Sequence, residues 1–288
     1  MASLKLRTFR HRRGVLVFGL RTRLMGIVNI TPDSFSDGGQ FATRDRAVEH
    51  AMRLIAESAD IIDLGAESTR PGSQGVEDGE QLERLLPVLR ELRGRTEIPI
   101  SIDTRSAVVA RECLKAGADI INDVAGLRSD AAIADYCVEY GAGLVVMHMR
   151  GDPATMQRNT EYADLISDVR SDLLLSVEIA MLAGLQPDHV MVDPGLGFGK
   201  SFDQNYSLIR RAADFRGDCA GVLLGPSRKA FTGEFSGLPA AQRQFSTAAV
   251  VAIAALYGGD VLRVHDVAEM RQVTDMCDRY RELDIERN

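Results

Sequence analysis

The sequence has no run of roughly 20 apolar residues, so no segment reads as crossing a bilayer. It also lacks any excess of basic residues. The formal net charge of -7 and pI near 5.4 exclude broad attraction to nucleic acid or an anionic membrane surface, so any anion must be held by a local site. Cysteine is sparse: Cys113, Cys137, Cys219 and Cys277 are scattered, without CxxC spacing. That pattern indicates neither a disulfide framework nor a zinc cluster and suits a reducing cytoplasm. The basic N-terminus, MASLKLRTFRHRRGVLVFGL, contains an apolar run too short for a signal core and no small-residue cleavage site after it. Linkers, low-complexity tracts and a second domain are missing too.

What is present is a soluble composition, 45% hydrophobic and 26% charged, in 288 residues, a length that fits two ordinary domains or one α/β barrel. Short Val/Ile/Leu-rich runs alternate with segments of helical period. The strand candidates are 24–29, 60–65, 98–103, 119–123, 143–148, 190–193, 221–225 and 261–265. Helix candidates fall near 43–58, 79–93, 106–116, 130–140, 161–184, 203–213, 239–257 and 267–284. The strands show little in-out alternation, as expected for a parallel sheet buried on both faces. Eight such units predict a closed (β/α)8 TIM barrel, because an open sheet of eight strands would leave apolar edges to cover. The expected organisation is one domain over 1–288, with a hairpin extension at 1–22 closing the barrel bottom and the barrel at 23–284.

Chemistry in such barrels sits at the C-terminal rim of the strands. The residues there are Asn29, Glu67 to Arg70, Asp103, Asn122 with Asp123, His148 with Arg150, Asp193, Ser227 to Lys229, and Arg263 with His265. Desolvating so many polar groups costs on the order of 1–3 kcal/mol each unless a ligand or water satisfies them. They divide chemically. Asp103, Asn122 and Asp193 suit the amino and ring N–H edge of a flat fused heterocycle. Asn29, Thr69, Arg70, Arg263 and His265 are neutral or cationic donors suited to phosphate or pyrophosphate, and Lys229 bridges the two ends. The segment DPGLGFGK lacks the spacing of a nucleotide phosphate loop; its glycines allow tight turns that project Phe198 over the site.

The motifs MGIVNITPDSFSDGG, GAESTRPG, SIDT, INDV, VVMHMRGDPATMQ, DPGLGFGK, GPSRK and RVHDV resemble, in order and spacing, the bacterial dihydropteroate synthase family over roughly residues 24 to 284. The resemblance implies condensation of 6-hydroxymethyl-7,8-dihydropterin pyrophosphate with p-aminobenzoate by an S_N1-like route, with Mg²⁺ as cofactor and sulfonamides as inhibitors. It implies pterin contacts from Asp103, Asn122, Met147, Asp193, Phe198 and Lys229. Pyrophosphate would meet Asn29, Thr69, Arg70, Arg263 and His265, with Asn29 also reaching the metal. The p-aminobenzoate slot would be lined by Phe35, Thr69, Pro71, Phe198, Lys229 and Ala230. Asp37, Arg70, Lys229, Arg263 and His265 are the implied catalytic set, and NITPDSFSDGG is read as a solvent-excluding lid. Ala66 stands where many members carry Gly. Ala230 stands where Ser is common, leaving only a backbone N–H to donate there. A homodimer through the last helices is expected. The rival readings are a pterin-dependent methyltransferase domain, which has no need of STRPG, SRK or RVHD, and a non-catalytic pterin-binding paralogue.

Overall fold

The computed structural model describes residues 6–31, 39–67, 75–151, 156 and 160–286. Eight parallel strands close into a barrel: β3 (Arg23–Asn29), β4 (Ile61–Gly65), β5 (Ile100–Asp103), β6 (Ile120–Asp123), β7 (Gly143–Met147), β8 (Val190–Asp193), β9 (Gly221–Leu224) and β10 (Val261–Val264). They run in chain order around the ring, and β10 pairs with β3 to seal it. Each predicted strand is present, with ends moved by no more than about two residues. The apolar residues of the strands are buried on both faces, against helices outside and layered side chains within.

The helices that cover the barrel are α1 (Gly39–Ala56), α2 (Asp78–Arg93), α3 (Ala107–Lys115), α4 (Ala132–Tyr140), α5 (Leu165–Ala183), α6 (Phe202–Arg210), α7 (Gln244–Leu256) and α8 (Val267–Glu286). Helix α1 begins at 39 rather than near 43, and three others differ from the periodicity-based ranges for local reasons. Helix α5 starts at 165 rather than 161 because the Asp164 side chain accepts from Ser167 N and caps it. A capping box of Ser201 and Gln204 fixes the start of α6, and the chain after it tightens into a 3₁₀ turn, Ala212–Phe215. Before α7 a separate 3₁₀ turn, Ala240–Gln242, replaces the expected helical start.

The N-terminal segment forms the expected hairpin, β1 (Arg7–His11) paired antiparallel with β2 (Gly14–Phe18). Its inward Phe9 and Phe18 are fully buried and stack 6.2 Å apart, packed on Met25, Ile61, Ile120, Val145, Met191 and Val261 at the barrel bottom. The plug requires glycine where the strands begin: a Cβ on Gly221 would lie 2.8 Å from the Phe18 ring, and one on Gly143 would collide with Phe9. With the bottom closed, solvent reaches the barrel interior from the other end. A cavity of about 900 Å³ beside the hairpin is lined by Arg7, Arg10, Asp188 and Arg216. Those arginines pair with Asp260 and Asp188, so it presents no free cation to a ligand.

Candidate active site

At the opposite end, β3, β4, β5, β6, β8 and β10 bring Asn29, Asp63, Asp103, Asn122, Asp193 and Arg263 to one mouth. The adjacent register partners Asp103 and Asn122, with Asn29 opposite Gly65, fix the near side. Gly65 keeps this side open: a Cβ there would sit 3.6 Å from both Asn29 Oδ1 and Asp103 Cβ. Arg263 spans the centre. Its Nε donates to Asp63 Oδ2 at 2.6 Å and its Nη2 to Asp103 Oδ2 at 2.8 Å, while Asn122 Nδ2 donates to the same Asp63 oxygen at 3.3 Å.

This crowding sets the protonation of the mouth. Burial raises the Asp103 carboxyl to about 7, against the pull of Arg263. Burial likewise raises Asp193 to about 6, although Gly195 N donates to its Oδ1 at 2.7 Å. Lys229 is lowered to about 8 by burial and by the neighbouring Arg263. Burial alone would lower Arg263, but Asp63 and Asp103 reverse that and hold the guanidinium charged.

Lys229 reaches the mouth because its neighbours are tied down. Ser227 Oγ lies 2.9 Å from His265 Nδ1, and Arg228, in a left-handed conformation at φ 59°, pairs with Asp266 at 2.6 Å. Lys229 then turns inward and sets Nζ 3.9 Å from the Phe198 ring centroid. The Arg228 side chain therefore anchors a loop rather than adding charge to the mouth. Ala230, the expected p-aminobenzoate contact, begins a short 3₁₀ turn with its methyl exposed. Met147 and Phe198 form an apolar wall with Val124, Met149 and Met156, suited to the face of a planar ring. Phe35 and Asp37 of the first loop, and Thr69, Arg70 and Pro71 of the second, lie outside the described residues.

Several rim residues do other work. Asp123 accepts from Ala125 N and Leu127 N and holds the turn after β6. Arg150 covers the Tyr162 ring at 4.5 Å. His148 is buried behind the wall, its Nδ1 2.9 Å from Lys200 Nζ, and burial pushes its pKa down to about 2. Lys200 also donates to Phe198 O at 2.8 Å. It thereby clamps the loop in which Gly195, with φ 72°, passes so close to His148 O that any side chain would collide. Sequence reasoning missed Lys200 and Asp63. Asp63 lies in the middle of β4 and points inside the barrel, where no local pattern marks it.

The sequence profile described as Pterin binding enzyme matches residues 25–265. The chain is 42% identical over 262 residues to a dihydropteroate synthase of Synechocystis sp., covering 91% of each chain. The crystal structure of Burkholderia cenocepacia dihydropteroate synthase complexed with 7,8-dihydropteroate superposes with a TM-score of 0.87 at 36% identity, covering 98% of this chain and 99% of that one. The Yersinia pestis dihydropteroate synthase in a sulfonamide drug complex superposes at 0.86 and 36%, covering 93% and 97%. The chain belongs to the dihydropteroate synthase family of pterin-binding enzymes.

Proposed function

We propose that the protein is a transferase of folate synthesis, joining 6-hydroxymethyl-7,8-dihydropterin pyrophosphate to p-aminobenzoate to give 7,8-dihydropteroate and pyrophosphate. The observation that carries this reading is the convergence of Asp103, Asn122 and Asp193 with Arg263 and Lys229 at one plugged barrel's open mouth. The first three accept and donate along the pterin edge, and the Met147–Phe198 wall packs on its face. Arg263 and His265 face the diphosphate. The C–O bond breaks with its electron pair leaving on the diphosphate oxygen. The methylene cation, conjugated with the dihydropterin, accepts the aniline lone pair, and the new C–N nitrogen sheds a proton. Positive charge set against the departing oxygens before the C–O bond breaks lowers that barrier, since it needs no reorganisation as the charge develops.

Mg²⁺ fits the donor set as a shared ion. It keeps several waters and is commonly held by one or two protein oxygens plus substrate phosphates. Asn29 offers an amide oxygen beside the space that Gly65 leaves open. Among the described residues no three His, Cys, Asp or Glu side chains cluster as a cage. When bound, the ion would neutralise charge on the leaving diphosphate. Similarity to the drug-bound relative supports sulfonamides as inhibitors of this chain too.

Pyrophosphate release by the purified protein should require p-aminobenzoate. Binding of the pterin substrate with no release under any condition would sink the assignment and leave a non-catalytic pterin binder. The exposed Phe245 and Ile253 of α7, Tyr257 just after it, and Met276, Tyr280 and Leu283 of α8 support a homodimer through this face, Phe245 being 89% exposed. Light scattering should give twice the 31.4 kDa chain mass, and Met276→Lys should shift it toward one chain. No helix among the described residues is long and apolar enough to cross a membrane, and all four cysteines are free and buried; both fit a cytoplasmic enzyme.

A further inference from the structure

The two carboxylates that hold Arg263 are not equivalent. Asp63 has no exposed surface, lies within β4 and is held a second time by Asn122. Its Oδ1 makes no hydrogen bond, so it retains an acceptor site beside the guanidinium. Asp103 ends β5 at the mouth and is 8% exposed. Under the function proposed above, on which this inference rests, Asp103 must accept N–H donors from the pterin and Arg263 must donate to the diphosphate. In the structure Arg263 and Asp103 are bound to each other, so each holds the group the other needs.

We propose that the Arg263–Asp103 ion pair is a latch opened by substrate. The pterin edge replaces Arg263 on Asp103, and the released Nη2 turns to the diphosphate while Nε stays on Asp63. Arg263 is only 19% exposed, so Nη2 loses its hydrogen bond with little water to replace it if the latch opens alone, and a ligand that supplies new partners on both sides favours the open state. The fork of an arginine permits the exchange: its N–H groups point in fixed, separate directions, so one can change partner while another holds. Asp63 is thus a positioning residue, the pivot that keeps Arg263 aimed along the mouth, with Oδ1 free to follow it. Linkage then requires each half of the substrate to strengthen the binding of the other.

Calorimetric titration of inorganic pyrophosphate, in Mg²⁺-containing buffer with and without saturating 6-hydroxymethylpterin, tests this directly. The pterin, which carries no diphosphate, should tighten pyrophosphate binding by roughly 5- to 150-fold. In Asp103→Asn, pyrophosphate alone should bind more tightly than to wild type, and the dependence on pterin should vanish. Asp193→Asn, which removes a carboxylate from the same mouth without breaking the Arg263 pair, should keep the coupling; this separates a latch from simple relief of like charge. Asp63→Asn should weaken pyrophosphate and reduce its dependence on saturating pterin, whereas general loosening of the fold would weaken both probes and leave their ratio of coupling unchanged. Should that variant fail to fold, Asp103→Asn carries the test alone. Independent binding of the two probes to wild type, or equal coupling in Asp103→Asn, overturns the latch while the functional reading stands. Failure of both probes to bind wild type overturns the two together.

Discussion

The two ends of the barrel use the same residue for opposite purposes. At the bottom, Asp60, Asp119 and Asp260 each stand just before a strand and accept a backbone N–H from a neighbouring one, from Leu24, Ile100 and Val222 at 2.9, 2.9 and 3.0 Å. Each also pairs with an arginine: Asp60 with Arg23 and Arg271, Asp119 with Arg93, Asp260 with Arg7 and Arg216. At the top, Asp63, Asp103 and Asp193 meet Arg263, Asn122 and a single loop N–H. Asp60, just before β4, and Asp63, within it, are three residues apart. The difference lies in the partners. A carboxylate bonded to its neighbour strand's backbone is part of the ring and cannot exchange, whereas one bonded to a side chain at an open mouth can give that side chain up to a ligand.

The sharpest way to break this contrast is to remove one carboxylate from the closed end. Asp119→Ala leaves Arg93 buried without its partner and Ile100 N without its acceptor, so unfolding free energy should fall by about 3–5 kcal/mol. Urea denaturation measures this, and turnover per folded molecule should stay near wild type because the site lies at the far end. Arg263→Ala acts on the site instead. Loss of one preorganised stabiliser of developing charge typically costs roughly 10²–10³ in rate, so kcat/KM per folded molecule should fall by that factor. Some stability goes with it, because the fully buried Asp63 loses its charged partner. Equal loss of kcat/KM per folded molecule from both substitutions would erase the distinction between a structural and an exchangeable end.

Much of this was readable before the coordinates. The eight strands were legible because a strand buried on both faces must be apolar throughout, and the hairpin because VLVFGL and its partner segment supply paired apolar positions. Asp103, Asn122, Asp193, Lys229 and Arg263 were legible because a barrel puts strand ends at its mouth. Asp63 was not, since it sits inside a strand and only closure of the ring sets it against Arg263, 200 residues away. Lys200 looked like the end of a weak phosphate loop, and its partner His148 is 52 residues distant. Arg228 counted as a rim cation until its pairing with Asp266 was visible. In each case the missing information was a side-chain partner remote in sequence, which no local pattern encodes.

The smallest effect separates the ends by pH. Recognition of N–H donors on the pterin needs Asp103 and Asp193 as carboxylates, and burial has raised them to about 7 and about 6, so both carry protons at mildly acidic pH. As pH rises through that window they become acceptors, and kcat/KM for the pterin substrate should climb, approaching tenfold per unit on the acid side. Lys229, lowered to about 8, loses its charge above that pH, and the profile should turn down. Because kcat/KM reports the free enzyme, these limbs belong to the ligand-free mouth with its latch shut. Asp103→Asn should move the acid limb from near 7 toward the Asp193 value near 6, whereas Asp119→Ala, at the closed end, should leave both limbs where they are. An acid limb that stays put in Asp103→Asn, or that moves in Asp119→Ala, would mean that the titrating carboxylate is not the one facing the pterin edge.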